Sequence, residues 1–451
     1  MDRRAFLGTA ASTAALSVNA GQSAQSQTTI RSTQKRKTAT AISFAGMPLA
    51  ALRDDYRRQL FEEYIPFFMK NAVDYDNGGF MCSIDHDGSL VKTNKFGWFQ
   101  GRGVWWFSYL FNHFEKDSKY LDIAVRTKDF MLAHFPDEPG SVRWAQDVGK
   151  EGEIIKSYAE ARDPFPCYFG IEGMLELARA TGDETLQDQA LRLFKKQAHY
   201  VRKPDTPFME YPPGTQGLNL YMLNLQIATD FLRERSDPDV EKIAAESVDI
   251  VMNRFYNPRI KLFNELLTND LESMEGFEDH SYLCHGVEVM WLMCLEAIRT
   301  KDQALFDCAA RRMLDHLNVS WDYIFGGFAT AVMVDHGGYK WPTIRPAGSM
   351  LSFEGIGEYN YMKSLWQFAE AMVGTAIVFE HTGAEWADRF HGMCKSTIDQ
   401  RSSLRQYGYP LHMLFSDREF TFLPHTSRKC NYHYPRALMY CIESLERMIE
   451  S

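Results

Sequence analysis

The chain has 451 residues, 45% of them hydrophobic and 24% charged, which excludes a disordered chain, a collagen-like chain and a small disulfide scaffold. With 49 Lys and Arg against 59 Asp and Glu the net charge is −10, so neither a nucleic-acid surface nor an anionic-membrane surface is expected. An aromatic fraction of 14% suits a large core, and equally a cavity that stacks flat ligand faces.

At the N-terminus, Asp2-Arg3-Arg4-Ala5-Phe6-Leu7-Gly8 leads into a short, weakly apolar run that ends on the small residues Val18-Asn19-Ala20. Paired arginines followed by such a run predict a twin-arginine export signal over 1–20, and with it a periplasmic or secreted protein. Residues 21–45 are rich in Ser, Thr and Gln and read as a disordered leader or linker, with a single domain over 46–451. No later segment reaches the ~20 consecutive apolar residues that a membrane span requires. Cys294, Cys308, Cys394 and Cys441 fall inside apolar helical patterns and no Cys-x-x-Cys pair exists, so buried free thiols are expected rather than disulfides.

Apolar residues recurring at i, i+3, i+4 and i+7 predict twelve helices, over 47–72, 101–115, 117–135, 167–181, 184–202, 217–234, 237–255, 284–299, 301–318, 362–382, 384–400 and 433–450. Short polar turns recur between them, among them Thr181-Gly182-Asp183, Thr300-Lys301-Asp302 and Thr382-Gly383-Ala384. In these turns a Gly or polar residue stops one helix and Asp or Thr caps the next. The connections 72–100, 136–166, 203–216, 256–283, 319–361 and 401–432 are long and alternate with the short turns, so they share one end of the structure. Two of them carry Gly-Gly-Phe, Asn77 to Gly88 and Phe325 to Gly337, and read as small β-hairpins. A helical hairpin cannot bury its own apolar face, and six of them that close into a ring make an all-α (α/α)6 barrel with one loop-rich face.

The long connections feed the second, fourth, sixth, eighth, tenth and twelfth helices, which are therefore the inner ring. Polar residues cluster at the starts of these helices: Gln100-Gly101-Arg102, His285 with Glu288 and Trp291, Trp366 with Glu370, and His433 with Arg436. Each alone has a structural explanation as a cap or core residue, but independent structural roles do not predict that all lie at one end. Two histidines with carboxylates in an aromatic cavity suit proton abstraction beside a carbonyl. A neutral imidazole, ordinary pKa about 6.5, is matched to remove the C2 proton of an open-chain sugar. A second imidazolium can return the proton, a carboxylate such as Glu288 can fix a ring's tautomer, and Arg102 can stabilise the enediolate oxygen.

At these residues the sequence resembles the N-acylglucosamine 2-epimerase family, which includes cellobiose 2-epimerases and mannose isomerases. The resemblance rests on Lys95-Phe96-Gly97-Trp98-Phe99-Gln100-Gly101-Arg102, Cys284-His285-Gly286-Val287-Glu288-Val289-Met290-Trp291, Lys363 to Glu370, and Lys429 to Arg436. It implies the barrel fold and His285 and His433 as the acid/base pair, with Arg102 on the sugar oxygens and Glu288 and Glu370 orienting the histidines or assisting ring opening. It further implies Trp291 and Trp366 as the sugar platform, with Trp98, Asn224 and Arg436 also binding substrate, and neither cofactor nor metal. The sequence departs from the cellobiose branch at Met222 and Asn224, where that branch carries histidines, and Leu365 replaces a common aromatic. The connection from Asp335 to Tyr361 is also longer than the family's usual one. An N-acyl sugar is therefore favoured over a disaccharide.

The expected partner is a small sugar, without nucleic acid or membrane, and a homodimer stays open. Four readings compete with the 2-epimerase. One is an aldose–ketose isomerase on the same histidines. Another is a glycoside hydrolase using Glu288 and Glu370, with Glu265 or Asp270 in reserve. The remaining two are a metal-dependent isomerase using His280, His285 and Glu288, and a catalytically silent sugar-binding protein.

Overall fold

The structure is a computed structural model, and it describes residues 43–451 apart from 86, 157–162, 204–213, 335–361, 405–408, 411–412 and 416–431. The export signal, most of the leader, Cys430 and the 335–361 connection therefore lie outside the described residues. The described residues contain the twelve expected helices. The first, α1, runs from Leu49–Arg58 through a π-helical Gln59–Tyr64 into Ile65–Asn71. It is followed by α2 (Gly97–His113), α3 (Ser118–His134), α4 (Phe165–Thr181), α5 (Glu184–Tyr200) and α6 (Leu218–Leu232). Next come α7 (Pro238–Asp249 with Ile250–Phe255), α8 (Leu283–Thr300) and α9 (Gln303–Ser320). The last three are α10 (Leu365–Thr382), α11 (Glu385–Thr397 with Ile398–Ser402) and α12 (His433–Glu450).

The short turns form as their residues dictate. Asp117, Asp183, Asp237 and Asp302 each accept backbone N–H bonds at the first turn of α3, α5, α7 and α9. Gly182 and Gly383 end α4 and α10 with positive φ. The even-numbered helices are buried almost all round, as α6 is from Leu218 to Leu232, whereas odd-numbered helices such as α5 and α7 bury one stripe. That contrast defines an inner ring of six and an outer ring of six. The ring closes where Tyr109 of α2 donates to both carboxylate oxygens of Glu443 on α12, each at 2.9 Å. Alongside, Tyr434 of α12 donates to Gln59 of α1 at 2.6 Å, so the first and last helices make the sixth pair.

The structure corrects the sequence reading at two points. Phe44, assigned to the leader, is buried and stacks on Phe379 at 4.4 Å, so the ordered domain starts earlier: a lone aromatic in a polar run finds a core slot. The helix starting at Gly97 begins earlier than expected, which moves Gln100 and Arg102 into its second turn. The second Gly-Gly-Phe segment folds back at its glycines, where Trp321 bridges Phe328, and Ala331–Met333 then pairs with His280–Tyr282 of the preceding connection; the Asp335-His336-Gly337 turn of the expected hairpin lies outside the described residues. The first does form a hairpin, Ser83–Ile84 with Leu90–Lys92. Similar cross-connection pairs, Lys95–Phe96 with Asp147–Val148, Thr215–Gly217 with Leu266–Thr268 and Met362–Ser364 with Met413–Phe415, stitch neighbouring loops into one rim.

Both Gly-Gly turns recur as one motif. Asp74 and Asp322 each accept two N–H bonds from the turn just after them, and Gly78, Gly79, Gly326 and Gly327 all have positive φ. Lys95 Nζ reaches Asp74 at 2.9 Å, and Lys363 Nζ reaches Asp322 at 3.2 Å. Each lysine lies two residues before an inner helix, so the motif anchors the entries to α2 and α10. No disulfide forms among the described cysteines, and all but Cys308 are buried.

Candidate active site

Because the long connections enter the even-numbered helices, the N-terminal turns of those helices converge under the stitched rim. His285 is the third residue of α8, and helix side chains lean toward the N-terminus. Its Nδ1 lies 2.9 Å from Glu265 Oε1, in the connection between α7 and α8. His433 opens α12, and its Nδ1 lies 2.6 Å from Glu370 Oε1 on α10. A carboxylate can only accept, so each histidine donates through Nδ1–H and presents Nε2 as its basic nitrogen. The Trp366 ring stands between them, with centroids 6.0 Å from His285 and 5.5 Å from His433. Tyr282 stacks on Trp366 at 6.0 Å with an interplanar angle of 13° and extends this aromatic wall.

Beneath His433 lies a buried charge cluster. Arg436 Nη2 donates to Glu370 Oε1 at 2.7 Å and to Glu288 Oε1 at 2.9 Å. Trp291 Nε1 donates to the other Glu370 oxygen at 2.8 Å. The neighbouring carboxylates hold the Arg436 guanidinium firmly protonated against its complete burial. Arg102 lies over three rings, 3.9 Å from Phe169, 4.7 Å from Tyr432 and 4.9 Å from Trp98, which fixes the plane of its guanidinium. Deeper still, Glu172 of α4 accepts the Tyr432 hydroxyl at 2.6 Å and an N–H of Gln226. Burial, opposed by that hydroxyl and by Arg436, pushes the Glu172 carboxyl up to about 7.

The residues singled out from the sequence thus gather at one end, but not all in their expected parts. Glu370 orients His433, as expected, whereas Glu288 pairs with Arg436 and the partner of His285 is Glu265. Glu288 lies one turn further into α8, while the imidazole leans back toward the incoming connection. Arg436, expected on substrate, is fully buried between the two carboxylates. Trp291, expected as platform, is 1% exposed and spends its N–H on Glu370. Asn224 is buried and accepts from Tyr168 at 2.7 Å. Trp98 and Trp366 remain partly exposed at the mouth. Sequence reasoning passed over Glu172, Tyr282 and Tyr432. The signal for Glu172 was an acid inside the apolar run from Phe165 to Leu175 of an inner helix.

Among the described residues, the one group spaced to hold a metal is Glu288, Glu370 and His433, with ligand atoms within 4.8 Å of one another. Both carboxylates already share the Arg436 cation, which a second cation would have to displace. The set His280, His285 and Glu288 is not brought together.

No family model matches the chain. An N-acylglucosamine 2-epimerase of Bos taurus is 24% identical over 414 residues, covering 89% of this chain and 93% of that protein. The chain is similar to N-acylglucosamine 2-epimerases over most of its length. The cellobiose 2-epimerase structure from Bacillus thermoamylovorans B4167 superposes with a TM-score of 0.69 at 19% identity, covering 88% of this chain and 100% of that one. A D-mannose isomerase structure gives the same TM-score at 12% identity, covering 88% and 98%. These likenesses establish the fold as an (α/α)6 barrel.

Proposed function

We propose that the protein is a cofactor-independent sugar 2-epimerase that interconverts N-acyl-D-glucosamine and N-acyl-D-mannosamine. The observation that carries this reading is the pair of His–carboxylate dyads, His285–Glu265 and His433–Glu370, flanking the exposed face of Trp366. Similarity to the bovine N-acylglucosamine 2-epimerase supports the substrate class. In this reading Trp366 and Trp98 hold the open-chain sugar. One imidazole takes the C2 proton through Nε2, its charge balanced by the carboxylate behind it. Arg102 stabilises the negative enediolate oxygen. The second imidazole, as imidazolium, returns a proton to the opposite face of C2 and inverts the centre. Arg436 holds Glu370 against His433 rather than touching sugar.

A hydrolase would need one carboxylate to act as acid and its fellow as nucleophile or base across a cleft. Glu288 and Glu370 instead converge on a single nitrogen of Arg436 and leave both histidines without a part. Proton NMR in deuterated water with N-acetylglucosamine, N-acetylmannosamine, glucose, mannose, fructose and cellobiose tests the proposal. Deuterium enters C2 as an N-acetylated epimer appears, and His285→Ala or His433→Ala abolishes it. A ketose product instead assigns the aldose–ketose isomerase, and absence of exchange with every sugar overturns the reading. On residues 1–20 we also propose twin-arginine export, which Arg3→Lys with Arg4→Lys blocks in a cell-fractionation assay.

A further inference from the structure

Glu172 lies on α4, which carries none of the proposed acid/base residues. Its Oε1 is shared by the Tyr432 hydroxyl and Gln226, while Oε2 is buried with no hydrogen-bond partner among the described residues. The same hydroxyl accepts from Arg436 Nη1 at 2.9 Å, so three helices, α4, α6 and α12, meet on one oxygen atom. Tyr432 is the residue immediately before His433, and it precedes the helix with φ −139° and ψ −67°. Its ring meets the His433 ring edge-on at 5.4 Å and forms a wall under the Arg102 guanidinium at 4.7 Å. A tyrosine at a helix entry that is clamped at its far end fixes both the next residue of the chain and the group resting on its face.

We propose that Glu172 is a positioning residue which, through Tyr432, holds the His433 imidazole and the Arg102 guanidinium in register with each other. The proposal rests on the 2-epimerase reading for its consequence and on the Tyr432 contacts for its geometry. It explains why a carboxyl group stands where burial so disfavours its charge: a short bond from a phenol needs a strong acceptor, and that bond and Arg436 offset part of the cost of burying it. It also explains how base and oxyanion donor, on α12 and α2, share one reference point. A misplacement of about 1 Å between such groups costs about 100-fold in rate.

The test compares Glu172→Leu, Glu172→Gln and Tyr432→Phe with the wild type by two readouts. The first is kcat and KM on N-acetylmannosamine. Glu172→Leu and Tyr432→Phe lower kcat by about 30- to 100-fold with KM within about threefold. Glu172→Gln recovers to within about fivefold of wild type, since its amide oxygen still accepts the hydroxyl. The second is the NMR titration midpoint of the His433 ring, which moves by at least about half a unit in Glu172→Leu and Tyr432→Phe and by less in Glu172→Gln. Tyr432→Phe keeps ring and volume, so it decides the matter if Glu172→Leu does not fold. Unmoved His433 midpoints in the folded variants overturn the positioning role. A wild type inert toward every sugar overturns the epimerase reading instead, and the His433 midpoints still decide whether Glu172 positions the imidazole.

Discussion

His285 and His433 are matched to one task by different means. Each turns Nδ1–H to a carboxylate and Nε2 to the mouth, but Glu265 comes from a connection and Glu370 from an inner helix. The carboxylate fixes the tautomer and stabilises the imidazolium that forms in the reaction. Replacing such an acid by its amide is costly because the amide can accept or donate and so lets the ring turn over. Glu265→Gln is therefore expected to lower kcat by about 100-fold or more with little change in KM. Nitrogen-detected NMR of His285 should show Nδ1–H in the wild type and a mixed tautomer in Glu265→Gln, with Glu288→Gln keeping the wild-type form. The reverse pattern would return Glu288 to the role the sequence suggested. The sequence pointed to Glu288 for a simple reason. His285 and Glu288 are three residues apart on one helix, a spacing readable without a structure. Glu265 is 20 residues away in a connection, and only the fold brings it close. Glu370 was readable as a polar residue at the start of an inner helix, but its hold on His433 crosses 63 residues.

The helices themselves were legible because an inner or outer position leaves a 3.6-residue pattern along many turns. Apart from the hairpin after Gly78-Gly79, the strands were not: they are two or three residues long, and four of the pairings join connections distant in sequence. Element packing also explains a glycine in the most site-like segment. A Cβ on Gly101 of α2 would collide with the Phe169 backbone on α4, and one on Gly173 would lie 2.6 Å from the Gly101 carbonyl oxygen. These two glycines let α2 and α4 approach more closely than side chains allow, which brings the Phe169 ring to 3.9 Å from Arg102. Gly101→Ala must separate the helices at the point where the arginine is held. Overpacking of this kind costs about 1–3 kcal/mol, measurable by urea unfolding. Activity should fall further than the stability loss explains, because Phe169 moves away from Arg102. A variant destabilised by this amount, yet fully active, would detach the Phe169–Arg102 contact from function.

For the molecule as a whole, buried titratable groups of two kinds oppose each other across pH. His316 links α9 to the Phe263 backbone and His391 links α11 to Tyr56 of α1 and Thr375 of α10, so both sit where the barrel's elements join. Burial holds them neutral, with His316 pushed down to about 4 and His391 to about 3. Below the unfolded value near 6.5 the unfolded chain takes up these two protons and the folded protein does not, so their contribution is full above 6.5 and drains away as pH falls toward 4 and 3. Glu172 and Glu176 run the other way, burial pushing them up to about 7 and about 8. Their stabilisation is complete below the unfolded value near 4.5 and is lost as pH rises through 7 and 8. Each group changes stability by about 1.4 kcal/mol per pH unit inside its own window. Between about 4.5 and 6.5 the two histidines and two glutamates nearly cancel, and only outside that range does one pair act alone. Urea unfolding across pH should therefore show a plateau from about 4.5 to 6.5, a decline toward pH 8 and a steeper one below 4.5, where Asp74 and Asp322 also lose their lysine partners. In Glu172→Gln the alkaline decline should fall by about a quarter, stability should rise with pH between about 4.5 and 6.5, and the acid decline should be unchanged. A stability that rises from pH 5 to about 6.5 and then stays level to pH 8 would mean that Glu172 and Glu176 are ionised in the folded barrel throughout, the bond from Tyr432 outweighing burial at Glu172 and the contacts of Asn112 and Arg179 doing so at Glu176.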